Sequence, residues 1–207
     1  MRSSSLNYLF VSSATTNLVV ATLVDGKVSY LYNEYSSSDT SSKIMPIIKE
    51  AFDKSNIKPR DIDCIFVVNG PGSFTGIRIG LTVCKTFAWS LGIKIVPISS
   101  LEMMVSGFDE KAISLIDARR GYVYAGGYDD KLDSFFDDRY VKIDDIHFGG
   151  KFVSYDGFDF TVEKPKIDIL KIIKKHENDK GINVHMLNPM YLKLTEAEEK
   201  KLNDTKA

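Results

Sequence analysis

The run Cys64–Leu91, CIFVVNGPGSFTGIRIGLTVCKTFAWSL, constrains this chain more than any other stretch. Cys64 to Val68 is a short apolar run rich in β-branched and aromatic residues, which predicts a buried strand. Asn69-Gly70-Pro71-Gly72-Ser73 then interrupts any regular structure. From Ile77 onward the apolar residues recur at helical spacing. Ile77, Leu81, Cys84, Ala88 and Leu91 share one face, and Ile79, Val83 and Phe87 share another. Only Arg78, Thr82, Lys85 and Trp89 form a narrow remaining stripe. A helix that is apolar most of the way round must be covered on two sides. A sheet can cover one side. The other needs more of the same chain or a second subunit, and the shortage of other helices favours a subunit.

The loop before this helix has two readings. Free N–H groups at a glycine-led helix start make an anion site, with Gly72, Ser73, Thr75 and Gly76 as the candidate residues. Both specific phosphate patterns fail, however. A P-loop needs Gly-Lys-Ser/Thr where Gly76 is followed by Ile77 and Arg78, and the dinucleotide fingerprint needs a third glycine where Thr75 stands. The alternative is a tight strand-to-helix connection whose glycines adopt conformations barred to other residues. The spacing alone favours that connection.

Composition narrows the function classes. At 207 residues, 43% hydrophobic and 27% charged, the chain can bury a normal core as one large domain or two small lobes. The formal net charge of -1 offers no basic excess for gripping nucleic acid unaided, so work on RNA is expected inside a complex. The two cysteines, Cys64 and Cys84, sit among apolar neighbours and read as buried hydrophobes. The start MRSSSLNYLFVSS lacks a long apolar core and no run reaches the length of a membrane span, so a cytoplasmic protein is expected.

The first half reads as β-β-β-α-β-α-β. Strands are predicted at Tyr8–Ser12, Asn17–Val24 and Lys27–Tyr35, the last two joined by the hairpin signal Asp25-Gly26. A polar loop, 36–42, precedes a helix from Ile44 to Ser55, in which Pro46 is comfortable only in the first turn. After the central helix come a strand at Lys94–Pro97, a short helix capped by Ser99 or Ser100, and strands at Ala112–Asp117 and Tyr122–Tyr128 around the turn Arg119-Arg120-Gly121. Weaker signals follow: strands near Phe135–Ile143 and Lys151–Tyr155, a helix near Ile167–Lys175, and a frayed charged tail over 195–206. A meander followed by strands alternating with helices implies a mixed sheet with helices on its faces, the order of ribonuclease-H-like and actin-like folds. Strands near 112–128 begin a second, truncated lobe.

The sequence offers little catalytic chemistry. His147, His176 and His185 form no H-E-x-x-H or comparable ligand spacing, so no metal site is expected. Ser73 directly follows Gly72, one position short of a G-x-S-x-G elbow. Asp117, ahead of Arg119 and Arg120, can hold a metal or a partner charge, or simply serve a charged hairpin turn.

The string from Asn69 to Gly80, NGPGSFTGIRIG, closely resembles the G-P-G-S-F-T-G-[LI]-R-[IV]-G signature of the TsaB (YeaZ) family. The resemblance continues through Pro97-Ile98-Ser99-Ser100-Leu101-Glu102 and returns in Ile116-Asp117-Ala118-Arg119-Arg120-Gly121-Tyr122-Val123-Tyr124. Pro189-Met190-Tyr191-Leu192-Lys193 resembles the family's closing P-x-Y-L-R, with Lys193 for arginine. Two positions depart: Ser12 stands where the family usually has aspartate, and Thr40-Ser41-Ser42 where relatives often have H-S-E.

The resemblance implies an α/β, actin-like fold of two ribonuclease-H-like lobes, the second truncated: 1–107, then a smaller lobe over 108–194, then the charged tail 195–207. It implies a role in forming N6-threonylcarbamoyladenosine next to the anticodon of tRNAs that read codons beginning with A. In that role the chain is a non-catalytic partner that binds and activates a TsaD-like transferase. A TsaE-like ATPase joins, a homodimer forms through an overlapping helical surface, and tRNA is met only through the complex. No cofactor is expected on this chain, with ATP or ADP confined to the complex, and Ser12 further lowers the expectation of nucleotide hydrolysis. The expected partner interface is Ile79, Val83 and Phe87 with Ile44, Met45, Ile48 and Phe52. Two other functions stay open: an actin-like metallopeptidase or small-molecule kinase, and an interaction protein of a different complex.

Overall fold

The computed structural model describes residues 6–36 and 39–193. The first sheet has strand order β3-β2-β1-β4-β5. It is built from β1 (Tyr8–Ser12), β2 (Asn17–Val24), β3 (Lys27–Tyr35), β4 (Cys64–Gly70) and β5 (Lys94–Ser99). β1, β2 and β3 form an antiparallel meander, and β4 and β5 run parallel to β1. Its connecting helices are α1 (Thr40–Lys54) and α2 (Phe74–Leu91), which pack against each other and against the sheet.

The second sheet repeats this plan with one strand fewer. β6 (Ala112–Asp117), β7 (Tyr122–Tyr128), β8 (Ser134–Lys142) and β9 (Lys151–Val153) take the order β8-β7-β6-β9. Again three antiparallel strands are followed by one parallel to the first. The short helix α3 (Ser100–Val105) lies between the sheets, with the Ser99 hydroxyl capping it by accepting from the Leu101 N–H at 3.1 Å. Met103 and Met104 of α3 join the first core, while Leu101 and Val105 join the second.

Every residue of β1 and β4 is buried, so these strands are covered on both faces and show apolar runs rather than alternation. Residues beyond the second sheet also contribute to that cover. Ile169, Ile172 and Ile173 of α4 (Ile169–His176) belong to the first core. The chain then returns along the first sheet: the Ile182 N–H donates to the Ile95 carbonyl at 2.9 Å, and the Met190 N–H to the Asn69 carbonyl at 2.7 Å.

Several boundaries differ from the sequence reading, three of them around the first two helices. α1 starts at Thr40, so Thr40-Ser41-Ser42 is helical rather than loop, and Pro46 sits in the second turn, where it is exposed. α2 starts at Phe74 rather than Ile77, because Ser73 caps it by accepting from the Gly76 N–H at 3.2 Å. β4 extends to Gly70. The expected tail over 195–206 lies outside the described residues.

Two internal features yield predictions. The Ser12 hydroxyl is fully buried and has no hydrogen-bond partner among the described residues. Removing an unpaired buried hydroxyl removes its desolvation cost, so Ser12→Ala is expected to stabilise the fold by about 1 kcal/mol. A lower urea midpoint for that variant would contradict the placement.

The second feature ties α3 to α4. His176 Nε2 meets Glu102 Oε1 at 2.7 Å, and its Nδ1 meets Asp179 Oδ2 at 2.8 Å. Burial alone would lower the imidazole pKa, but the hydrogen bond and charge of Glu102, followed by those of Asp179, outweigh it and raise the value above 6.5. The protonated form is therefore favoured in the folded state. Its stabilisation is complete below the unfolded pKa and is lost as pH rises through the raised folded value. Thermal midpoints are expected to fall as pH rises above the ordinary imidazole value, and His176→Gln to flatten that fall. An unchanged profile in His176→Gln would sink this assignment.

Candidate partner interface and inter-sheet cleft

α2 docks on the end of β1 through its glycines. A Cβ at Gly76 would collide with the Ser13 carbonyl oxygen, and one at Gly72 with that of Ala14. The contact is held by hydrogen bonds: Ser13 Oγ donates to the Gly76 carbonyl at 2.7 Å, and the Ser73 N–H to the Ala14 carbonyl at 2.8 Å. Gly72, Ser73, Thr75 and Gly76 thus come together, as the sequence predicts, but the Ser73 N–H and hydroxyl are both spent on fastening the loop and helix. This geometry matches the tight-connection reading.

The same residues form one wall of a cleft between the sheets, of about 630 Å3. Thr40 and Ile79 share that wall, and Asp117, Tyr124, Tyr155 and Asp156 line the cleft from the second sheet's side. The Asp117 N–H donates to Asp156 Oδ2 at 2.8 Å, and Asp117 Oδ2 pairs with Arg119 Nη1 at 3.0 Å. Asp117 therefore serves its hairpin and borders the cleft at once. Among the described residues, no three His, Cys, Asp or Glu side chains converge as a metal site. Cys64 and Cys84 are buried, and burial pushes the Cys64 thiol up to about 12 and raises that of Cys84 as well.

The second apolar face of α2 is only partly covered within the chain. Phe87 packs on Phe52 of α1, ring centroids 6.2 Å apart, and Ile79, Val83 and Phe87 are each half-buried. The opposite flank is covered by the returning chain, where Lys85 Nζ donates to the Leu187 carbonyl at 2.8 Å. Ile44, Ile48 and Phe52, read from sequence as interface residues, face the interior at 1%, 1% and 5% exposure. The correction has a simple cause: they form α1's inward stripe and fill the first core. Ile79 opens onto the cleft. Met45, at 46%, is the exposed member of the predicted set; Trp89, at 66%, is exposed too, but on the Lys85 stripe of α2. Trp89 was legible as part of the stripe, but only the packing reveals how far it protrudes. Among the described residues no helix is long and apolar enough to cross a membrane.

Two sheets of the same strand plan, facing a shared cleft, define an actin-like α/β protein. Comparison with known proteins sharpens this. The family model for TsaD, tRNA N6-adenosine threonylcarbamoyltransferase, matches residues 33–174. The tRNA threonylcarbamoyladenosine biosynthesis protein TsaB of Bacillus subtilis (strain 168) is 31% identical over 229 residues, covering 97% of this chain and all of that one. The tRNA N6-adenosine threonylcarbamoyltransferase of Chlorobium luteolum is 30% identical over 42% of this chain and only 25% of its own length. YeaZ from Pseudomonas aeruginosa superposes with a TM-score of 0.78 at 19% identity, over 92% of this chain and all of that one, a likeness of fold. The chain belongs to the TsaB family of tRNA threonylcarbamoyladenosine biosynthesis proteins, which shares a domain with the transferase.

Proposed function

We propose that this chain is a non-catalytic subunit that binds and activates a TsaD-type threonylcarbamoyltransferase during N6-threonylcarbamoyladenosine formation on tRNA. The observation that carries the reading is the α1–α2 face. Val83 and Phe87 are left half-buried there, and exposed Met45 lies on the adjoining helix α1. Exposed apolar surface of this kind marks an association site. A second copy of the chain would use the same face, so homodimer and heterodimer exclude one another. A TsaE-like ATPase joins the assembly, with ATP or ADP belonging to the complex, and the work takes place in the cytoplasm with tRNA.

Light scattering on the chain mixed with a TsaD-type transferase tests this. A one-to-one complex is expected, formed at the expense of any homodimer. Two components eluting separately would overturn the reading. The cleft carboxylates Asp117 and Asp156 favour a second reading, an actin-like enzyme in its own right. Hydrolysis of ATP or a peptide by the purified chain, lost in Asp117→Ala, would bring that reading forward.

A further inference from the structure

One band of surface away from the α1–α2 seam combines stacked rings with cations. Tyr191 stacks on Phe74 at the start of α2, with centroids 5.8 Å apart and planes at 25°. The Arg78 guanidinium lies 3.9 Å from the Phe74 ring centroid, and its Nε–H donates to the Tyr191 hydroxyl at 3.2 Å. Two residues further, Lys193 sits 5.5 Å from the centre of the Tyr140 ring. Tyr140 in turn stacks on Tyr122, at 4.7 Å and 9°. The register of β7 and β8 puts Tyr122 opposite Lys142 and Tyr124 opposite Tyr140, all on one face of the sheet. The short segment Tyr191–Lys193 links both stacks and spans at most ~7 Å.

The rings differ in exposure: Tyr122 and Tyr140 are half-buried, and Tyr124 packs against the second core and lines the cleft. Phe74 and Tyr191 are 55% and 51% exposed. The adjoining hairpin adds a conformational oddity: Arg119 and Arg120 adopt φ values of 70° and 57°, where asparagine or glycine is at ease and arginine is strained. Both arginines are exposed, in the turn that leads into Tyr122. The acidic neighbours are Asp117, held by Arg119, and the exposed Asp144 and Asp145 just past Lys142.

We propose that this band is a stacking surface for unpaired RNA. The exposed rings of Phe74 and Tyr191, continued by the half-buried Tyr140, offer aromatic surface to bases of any sequence, and interleaved arginine and lysine neutralise the phosphates between them. An acidic peptide would need the cations but not the paired rings. The proposal rests on the function given above and deepens it, because it gives this chain a direct hold on the nucleic acid despite its net charge of -1.

The test is a fluorescence-anisotropy titration of the intact protein with a labelled single-stranded oligoribonucleotide at low salt. Saturable binding is expected, weakening with salt by a slope of roughly -0.7 per phosphate contacted. Tyr140→Ala is expected to bind about fivefold more weakly or worse, and Tyr140→Phe, which keeps the ring, to bind like the parent. Arg78→Ala with Lys193→Ala should weaken binding and flatten the salt slope. Lys174→Ala, on α4, should change nothing. No binding at low salt, displacement by an acidic peptide but not by RNA, or equal losses in Lys174→Ala and Tyr140→Ala would overturn the proposal. Transferase association is measured alongside on the same proteins. Association intact with RNA binding absent defeats this band alone, and association absent with RNA binding intact defeats the proposed function alone.

Discussion

Replacing Met45 with aspartate is expected to weaken association with the transferase by about thirtyfold or more while leaving the monomer folded. Burying a carboxylate in an apolar contact centre costs on the order of 2 kcal/mol or above. In the free chain Met45 is 46% exposed, so the same substitution should move stability by no more than about 0.5 kcal/mol. Trp89, though 66% exposed, lies on the Lys85 stripe of α2 away from Val83 and Phe87, so Trp89→Asp is the control expected to keep full affinity. Phe87 is a poorer test site: it packs on Phe52, so a charge there would disturb the monomer as well. Analytical ultracentrifugation of each variant with and without the transferase separates the two effects. Full affinity in Met45→Asp would remove the α1–α2 face from the interface.

Gly76→Ala sets two physical effects against each other. Helix propensity favours alanine inside α2 by about 1 kcal/mol. The added Cβ, however, falls against the Ser13 carbonyl, a backbone atom with little room to move. Overpacking of this kind costs up to about 3 kcal/mol, so the clash wins by about 2 kcal/mol. For a chain of 207 residues that lowers the thermal midpoint by roughly 4–8 °C. The same movement would pull α2 off the end of β1 and widen the cleft that Ser13 and Gly76 both line. An unchanged or raised midpoint, as propensity alone predicts, would mean that α2 does not sit this close to β1.

Much of the fold was legible because its signals are local. The meander followed from three short strand-like runs and the Asp25-Gly26 hairpin, whose residues adopt left-handed φ values of 54° and 72°. The start of α1 was not legible, because Thr40-Ser41-Ser42 carries no apolar period. Its helical state is fixed by neighbours: the Ser36 hydroxyl donates to Asp39 Oδ1 at 3.0 Å, and the Ser42 N–H to the Asp39 carbonyl at the same distance. The return of residues 182–190 along β5, β4 and α2 rests on contacts such as Lys85 to Leu187, far apart in sequence.

The candidate interface was half legible for a related reason. Helical spacing separates the faces of α1 and α2 but does not say which face meets the sheet. Packing assigned Ile44, Ile48 and Phe52 to the core and left Met45 outside. The cleft assembles Ser13, Gly76, Asp117 and Asp156 from segments that only the tertiary fold brings together. The paired rings of Tyr122 and Tyr140 likewise depend on the β7–β8 register.

The central claim is that this chain supports threonylcarbamoyladenosine formation. Mass spectrometry of tRNA nucleosides after depletion of the protein tests it most directly. N6-threonylcarbamoyladenosine is expected to fall while other modified nucleosides hold their levels. An unchanged level with the protein gone would contradict the account and turn attention to whatever co-purifies with the α1–α2 face.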